Sequence, residues 1–170
     1  MENTRFSNAE IKDGGYTGYG HAGSRNQEAR YISVTDVGKN LRKILKEKYQ
    51  SCTFSVVGQK YSGGQSISIA LMNAPFEVFD KNYKQDKNGN TYTEKDWGHS
   101  QLNHYSLGKE ADGYCNGSYL TPDAIEVLKF AMKECQSFNY SDSDGMIDYF
   151  HTNFYLHLSV GKWDKPFIKG

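Results

Sequence analysis

Lys60-Tyr61-Ser62-Gly63-Gly64-Gln65-Ser66-Ile67-Ser68-Ile69 joins two stretches in which apolar and polar residues alternate. Upstream, Cys52 to Lys60 sets Phe54 and Val56 on one side, and downstream Ser66 to Met72 does the same with Ile67, Ile69 and Leu71. Strand side chains alternate across a sheet, so this period of two predicts two strands, and the glycine pair between them predicts a tight hairpin in which glycine supplies positive φ. Lys60, Tyr61, Ser62, Gln65 and Ser66 then crowd the tip around Gly63 and Gly64, where backbone amides and a lysine could receive an anion such as phosphate. A plain connection between strands explains the same letters. A nucleotide-hydrolase phosphate loop is excluded, because it needs G-x-x-x-x-G-K-S/T followed by a helix, and here a strand follows.

Before the hairpin, Ser33 or Thr35 can cap a helix in which Val37, Leu41, Ile44, Leu45 and Tyr49 follow helical spacing. Lys39, Arg42, Lys43 and Lys46 take the opposite face; with Lys48 they make five positive residues against Asp36 and Glu47, an excess of three. Such a stripe is either a solvated exterior or a basic contact surface. After the hairpin, Pro75 followed by Phe76, Val78 and Phe79 could open a short helix. Residues 85–117 form a long polar insert whose Asn88-Gly89 suits a small hairpin turn.

Thr121-Pro122-Asp123 combines an N-cap, a proline at the first helical position and a first-turn acid, so a helix runs from there to about Ser137. Ala124, Leu128, Ala131, Met132 and Cys135 share one stripe, which makes Cys135 a packed hydrophobe. From Asn153 to Val160 the alternation returns, with Phe154, Leu156, Leu158 and Val160 on one side and Tyr155 and His157 on the other. The predicted fold is α+β: a small, mostly antiparallel sheet with two or three helices packed on one face and the other face partly exposed. Residues 31–170 form the single domain. Residues 1–30, with Gly14-Gly15-Tyr16-Thr17-Gly18-Tyr19-Gly20, are a flexible arm or a segment ordered by docking.

A length of 170 residues suits one domain. Lys plus Arg and Asp plus Glu are equal at 20 each, so the chain lacks the overall basic excess of sequence-independent nucleic-acid binders. Cys52, Cys115 and Cys135 form no paired metal or disulfide pattern, which fits a reducing compartment. Met1 to Glu10 has no apolar segment and no run of 18 apolar residues occurs, so neither export nor membrane spanning is expected and the cytoplasm is the expected location. Thirteen tyrosines against three prolines suit either contact surfaces or half-buried strands.

The candidates for chemistry are few. Asp142-Ser143-Asp144-Gly145-Met146-Ile147-Asp148 has the carboxylate spacing of a calcium loop, but Tyr140 and His151 stand at its first and twelfth positions and turn chemistry explains it equally. The histidines, His21, His99, His104, His151 and His157, make no H-E-x-x-H pattern, although His151 and His157 have the even separation that would bring them to one sheet face. Cys115 with His99 or His104 is the nearest thing to a nucleophile and base. No catalytic residue, metal or cofactor is therefore expected, and the binding candidates are Lys60 to Ser66, the basic helix residues Lys39, Arg42, Lys43 and Lys46, and Tyr155 with His157.

Val34-Thr35-Asp36-Val37-Gly38-Lys39-Asn40-Leu41-Arg42-Lys43, then Phe54-Ser55-Val56, then Lys60-Tyr61-Ser62-Gly63-Gly64-Gln65-Ser66-Ile67 resemble the large polyvalent protein associated domain 29. Ser143-Asp144-Gly145-Met146-Ile147-Asp148-Tyr149-Phe150 is compatible with the same pattern, and the resemblance spans Tyr31 to Gly161 with 85–117 poorly matched. It implies a phage or conjugative-element context and a role in protecting incoming DNA from host defences, with no catalytic residues to carry over. The expected function is a non-enzymatic accessory protein that binds and inhibits a host defence protein or its nucleic acid, of anti-restriction or anti-CRISPR type. The alternatives are a nucleic-acid-binding protein using the basic helix 36–48 with the hairpin, and a small enzyme acting on a nucleotide.

Overall fold

The structure, a computed structural model, describes residues 10–11, 21–80, 98–104, 107, 120–142 and 151–170. In chain order the elements are β1 (Glu10–Ile11), β2 (His21–Ala22), α1 (Val34–Lys48), β3 (Thr53–Tyr61), β4 (Gly64–Ala74), β5 (Ser100–Leu102), α2 (Pro122–Gln136), β6 (Tyr140–Ser141), β7 (Tyr155–Val160) and β8 (Ile168–Lys169). The main sheet has the order β3-β4-β7-β5, with β8 beside the end of β4. It is an α+β fold with a mixed sheet. The hairpin β3–β4 and the pair β5–β7 are antiparallel, whereas β7 and β8 run parallel to β4. A parallel neighbour requires a crossover connection, and the segment containing α2 supplies it.

The ladder register explains the core. Val56, Ile69, Leu158 and Leu102 stand opposite one another across four strands, as do Phe54, Leu71 and Val160. These rungs point to one face, and both helices lie on it. Ser33 caps α1 by accepting from the Thr35 amide at 3.3 Å, and Val34, Val37, Leu41 and Leu45 are buried against the sheet. Gly58 permits that approach: a Cβ there would lie 3.0 Å from the Val34 side chain and its carbonyl oxygen. Thr121 caps α2, accepting from the Ala124 amide at 3.3 Å, and Ala124, Leu128, Ala131, Met132 and Cys135 are buried as the stripe predicts.

Two local expectations need correction or extension. Residues 75–79 form no helix; Phe79 bridges Leu120, and the Thr121 amide and hydroxyl donate to the Val78 and Glu77 carbonyls at 2.8 and 2.6 Å. The Glu77 and Val78 carbonyls serve the start of α2 in place of a helix of their own. The insert contributes β5, whose Leu102 is buried with nearby Leu107, while the hairpin expected at Asn88-Gly89 lies outside the described residues.

Of the N-terminal arm, residues 21–30 are docked after α2. The Gly23 amide donates to the Asn139 carbonyl at 2.8 Å and the Arg25 amide to the Ser137 carbonyl at 2.9 Å. Arg25 also pairs with Glu134 at 2.7 Å and lies over the Phe138 ring. The Asn26 side chain donates to the Arg30 and Phe138 carbonyls and accepts from the Arg30 amide, which rounds the segment into a turn.

Candidate functional site

The hairpin is where the sequence places it. Ser62 and Gly63 form the turn between paired Tyr61 and Gly64, and Gly63 has φ 91°, a left-handed value that suits glycine and explains the residue without any ligand. Lys60, Tyr61, Ser62 and Gly63 are exposed. Gln65 and Ser66 are not tip residues: they are 2% and 5% exposed.

Gln65 belongs to the interior. Its Oε1 accepts from the Tyr31 hydroxyl at 3.0 Å and the Val34 amide at 3.1 Å, and its Nε2 donates to the Ile32 carbonyl at 2.7 Å and the Asn153 carbonyl at 3.0 Å. Asn153 reaches back, its Oδ1 accepting from the Ile32 amide at 3.1 Å. Two buried amides thus clamp the entry to α1 against the entry to β7. The even alternation of Ile67, Ile69 and Leu71, continued backwards by one step, lands on Gln65, and that was the available signal.

On the face away from the helices the register brings together Gln59, Ser66 and Tyr155 in one rung and Val57, Ser68 and His157 in the next. Small serines floor the centre, and larger side chains rise on both sides. Val57, Tyr61 and Tyr155 are 40%, 50% and 48% exposed, large fractions for such side chains. The short Ser66 and Ser68 side chains of β4 thus lie between larger exposed side chains on β3 and β7, a trough in outline, with Tyr61 and Tyr155 on its two outer strands. At its β5 side, burial and the nearby His157 imidazole hold His104 below its ordinary pKa. His151 does not share the face: it precedes β7, and its Nε2 lies 3.2 Å from the Tyr140 hydroxyl.

The basic helix residues stand on the other side of the sheet. Lys39, Arg42, Lys43 and Lys46 are all exposed on α1. Lys43 lies 4.0 Å from Glu47, while Arg42 extends over the margin of β3 and donates to the Val56 carbonyl. The sheet therefore separates Tyr155 and His157, in the trough on one face, from Lys39, Arg42, Lys43 and Lys46 on the other.

Other candidates carry little chemistry. Cys135 is fully buried and burial pushes its thiol well up; Cys52 is half-buried and also raised, first by burial. Cys115 and all but Asp142 of the acidic loop lie outside the described residues. Among the described residues no group of three or more His, Cys, Asp or Glu could hold a metal ion, and no helix is long and apolar enough to cross a membrane.

A family model, large polyvalent protein associated domain 29, matches residues 32–126, more than half of the chain. The match begins just before α1, takes in the hairpin and β5, and ends inside α2. No curated protein and no solved structure matches the chain.

Proposed function

Because this chain belongs to the large polyvalent protein associated domain 29 family, which associates it with phages and mobile elements, we propose that it is a non-enzymatic accessory protein that binds and inhibits a host defence component in the host cytoplasm. The observation that supports this reading is the trough. Tyrosine offers a large, rigid contact area with a polar tip, and Tyr61 and Tyr155 offer it from opposite sides of a three-strand floor. The floor is a hydrogen-bonded ladder fixed from behind by the packed core, so the surface is preorganised and little ordering cost falls on binding.

The test is a transformation assay in strains that each carry one restriction or CRISPR system aimed at an incoming plasmid. The chain restores transformation in at least one strain, and the Tyr61→Ser/Tyr155→Ser double variant, whose changes point to solvent, loses at least about tenfold of that gain. No rescue in any strain, or equal rescue by the double variant, sinks this reading.

A further inference from the structure

A second surface runs along the outer edge of β3, which among the described residues has a sheet neighbour on one side only. The two-residue turn makes Tyr61–Gly64 the first hydrogen-bonded pair, and antiparallel alternation then turns Gln59 and Val57 towards β4 and Val56, Gly58 and Lys60 away from it. The Arg42 bond to the Val56 carbonyl agrees with that assignment. At Gly58 and Lys60 the outward amides and carbonyls have no partner among the described residues.

Beside this edge stands a row of unbalanced charge. Lys39, Arg42 and Lys46 are spaced three and four apart, which puts them on one side of α1, and Arg42 shows that this side overhangs β3. None of the three has a carboxylate partner among the described residues, in contrast to Lys43 with Glu47. Lys60 shares the helix side of the sheet, since it stands opposite Gln65.

We infer that the Gly58–Lys60 edge of β3 is a strand-addition site for an extended acidic segment of a partner protein, whose backbone completes the ladder while its carboxylates meet Lys39, Arg42, Lys46 and Lys60. Unpaired strand edges capture extended chains through the main chain, and flanking side chains set the choice of chain. Charge selects the occupant. A second copy pairing edge to edge about a twofold axis would set the Lys39–Arg42–Lys46 row against its own image, and like charges across a seam oppose that assembly. The edge is separate from the trough, so this site goes beyond the function proposed above and stands or falls independently of it.

The probe is a labelled ten-residue peptide of alternating Val and Glu, titrated against the full chain, with amide hydrogen exchange followed by NMR. Binding slows exchange at Gly58 and Lys60. Lys60→Pro, which deletes an outward amide and spares the β4 ladder, weakens binding about fivefold more than Lys60→Thr, which deletes the charge alone. Lys39→Glu with Lys46→Glu weakens it by about tenfold, while Tyr61→Ser/Tyr155→Ser leaves it unchanged. The inference is overturned if the peptide does not bind, or binds without slowing exchange at Gly58 and Lys60. It is equally overturned if a DNA or RNA oligonucleotide binds this row and excludes the peptide, or if the same amides become protected by self-association alone.

Discussion

Gln65 is the residue on which the local architecture turns. Replacing it by Leu leaves the Val34 amide, the Ile32 carbonyl and the Asn153 carbonyl without their partners. Gln65→Leu should therefore lose about 2–4 kcal/mol in urea unfolding although it adds apolar volume. His104 gives a second expectation. Its folded pKa lies below its ordinary 6.5, so as pH falls below 6.5 the unfolded chain takes up a proton that the folded one resists. Stability declines through that interval, and His104→Gln flattens the decline. Neither residue announced its role in the sequence. Gln65 looked like part of an exposed tip because adjacency in sequence suggested it, whereas burial followed the strand period. The trough residues Tyr155 and His157 were legible through alternation alone; their meeting with Val57 and Gln59 required a register that only long-range pairing sets.

At the scale of elements, α1, α2 and the β3–β4 hairpin were legible because caps, helical spacing and period two are local signals. β5 was not: three residues, Ser100–Leu102, carry no pattern long enough to stand out from a polar insert. The short helix expected at residues 75–79 failed for a related reason, since its backbone partners lie more than forty residues away at Thr121. The α1–β3 contact makes a sharper prediction. Gly58→Val would push into Val34 and its carbonyl at 3.0 Å, tilting the start of α1 and loosening the Gln65 clamp beside it. A loss of about 1–3 kcal/mol is expected, read as a lower urea midpoint, whereas Gln59→Val, which faces the trough, should leave the midpoint nearly unchanged.

For the whole molecule, the strand order is the governing fact. The family match ends at residue 126, but β7 lies at 155–160 and sits between β4 and β5. A fragment of residues 32–126 therefore lacks the strand that joins the two parts of its own sheet and two thirds of α2, which ends at Gln136. Such a fragment should show no cooperative unfolding transition by circular dichroism, while the full chain does. The parallel pairing of β4 with β7 also governs the order of events during synthesis. α1 and the hairpin emerge together and can assemble from near neighbours, but β4 must wait some ninety residues for its second partner, and closing so long a loop carries a large entropic cost before any contact repays it. Until then β4, which carries Ile67, Ile69 and Leu71, has an open edge on the side that β7 later takes, and an open edge of this kind invites pairing with another chain during synthesis.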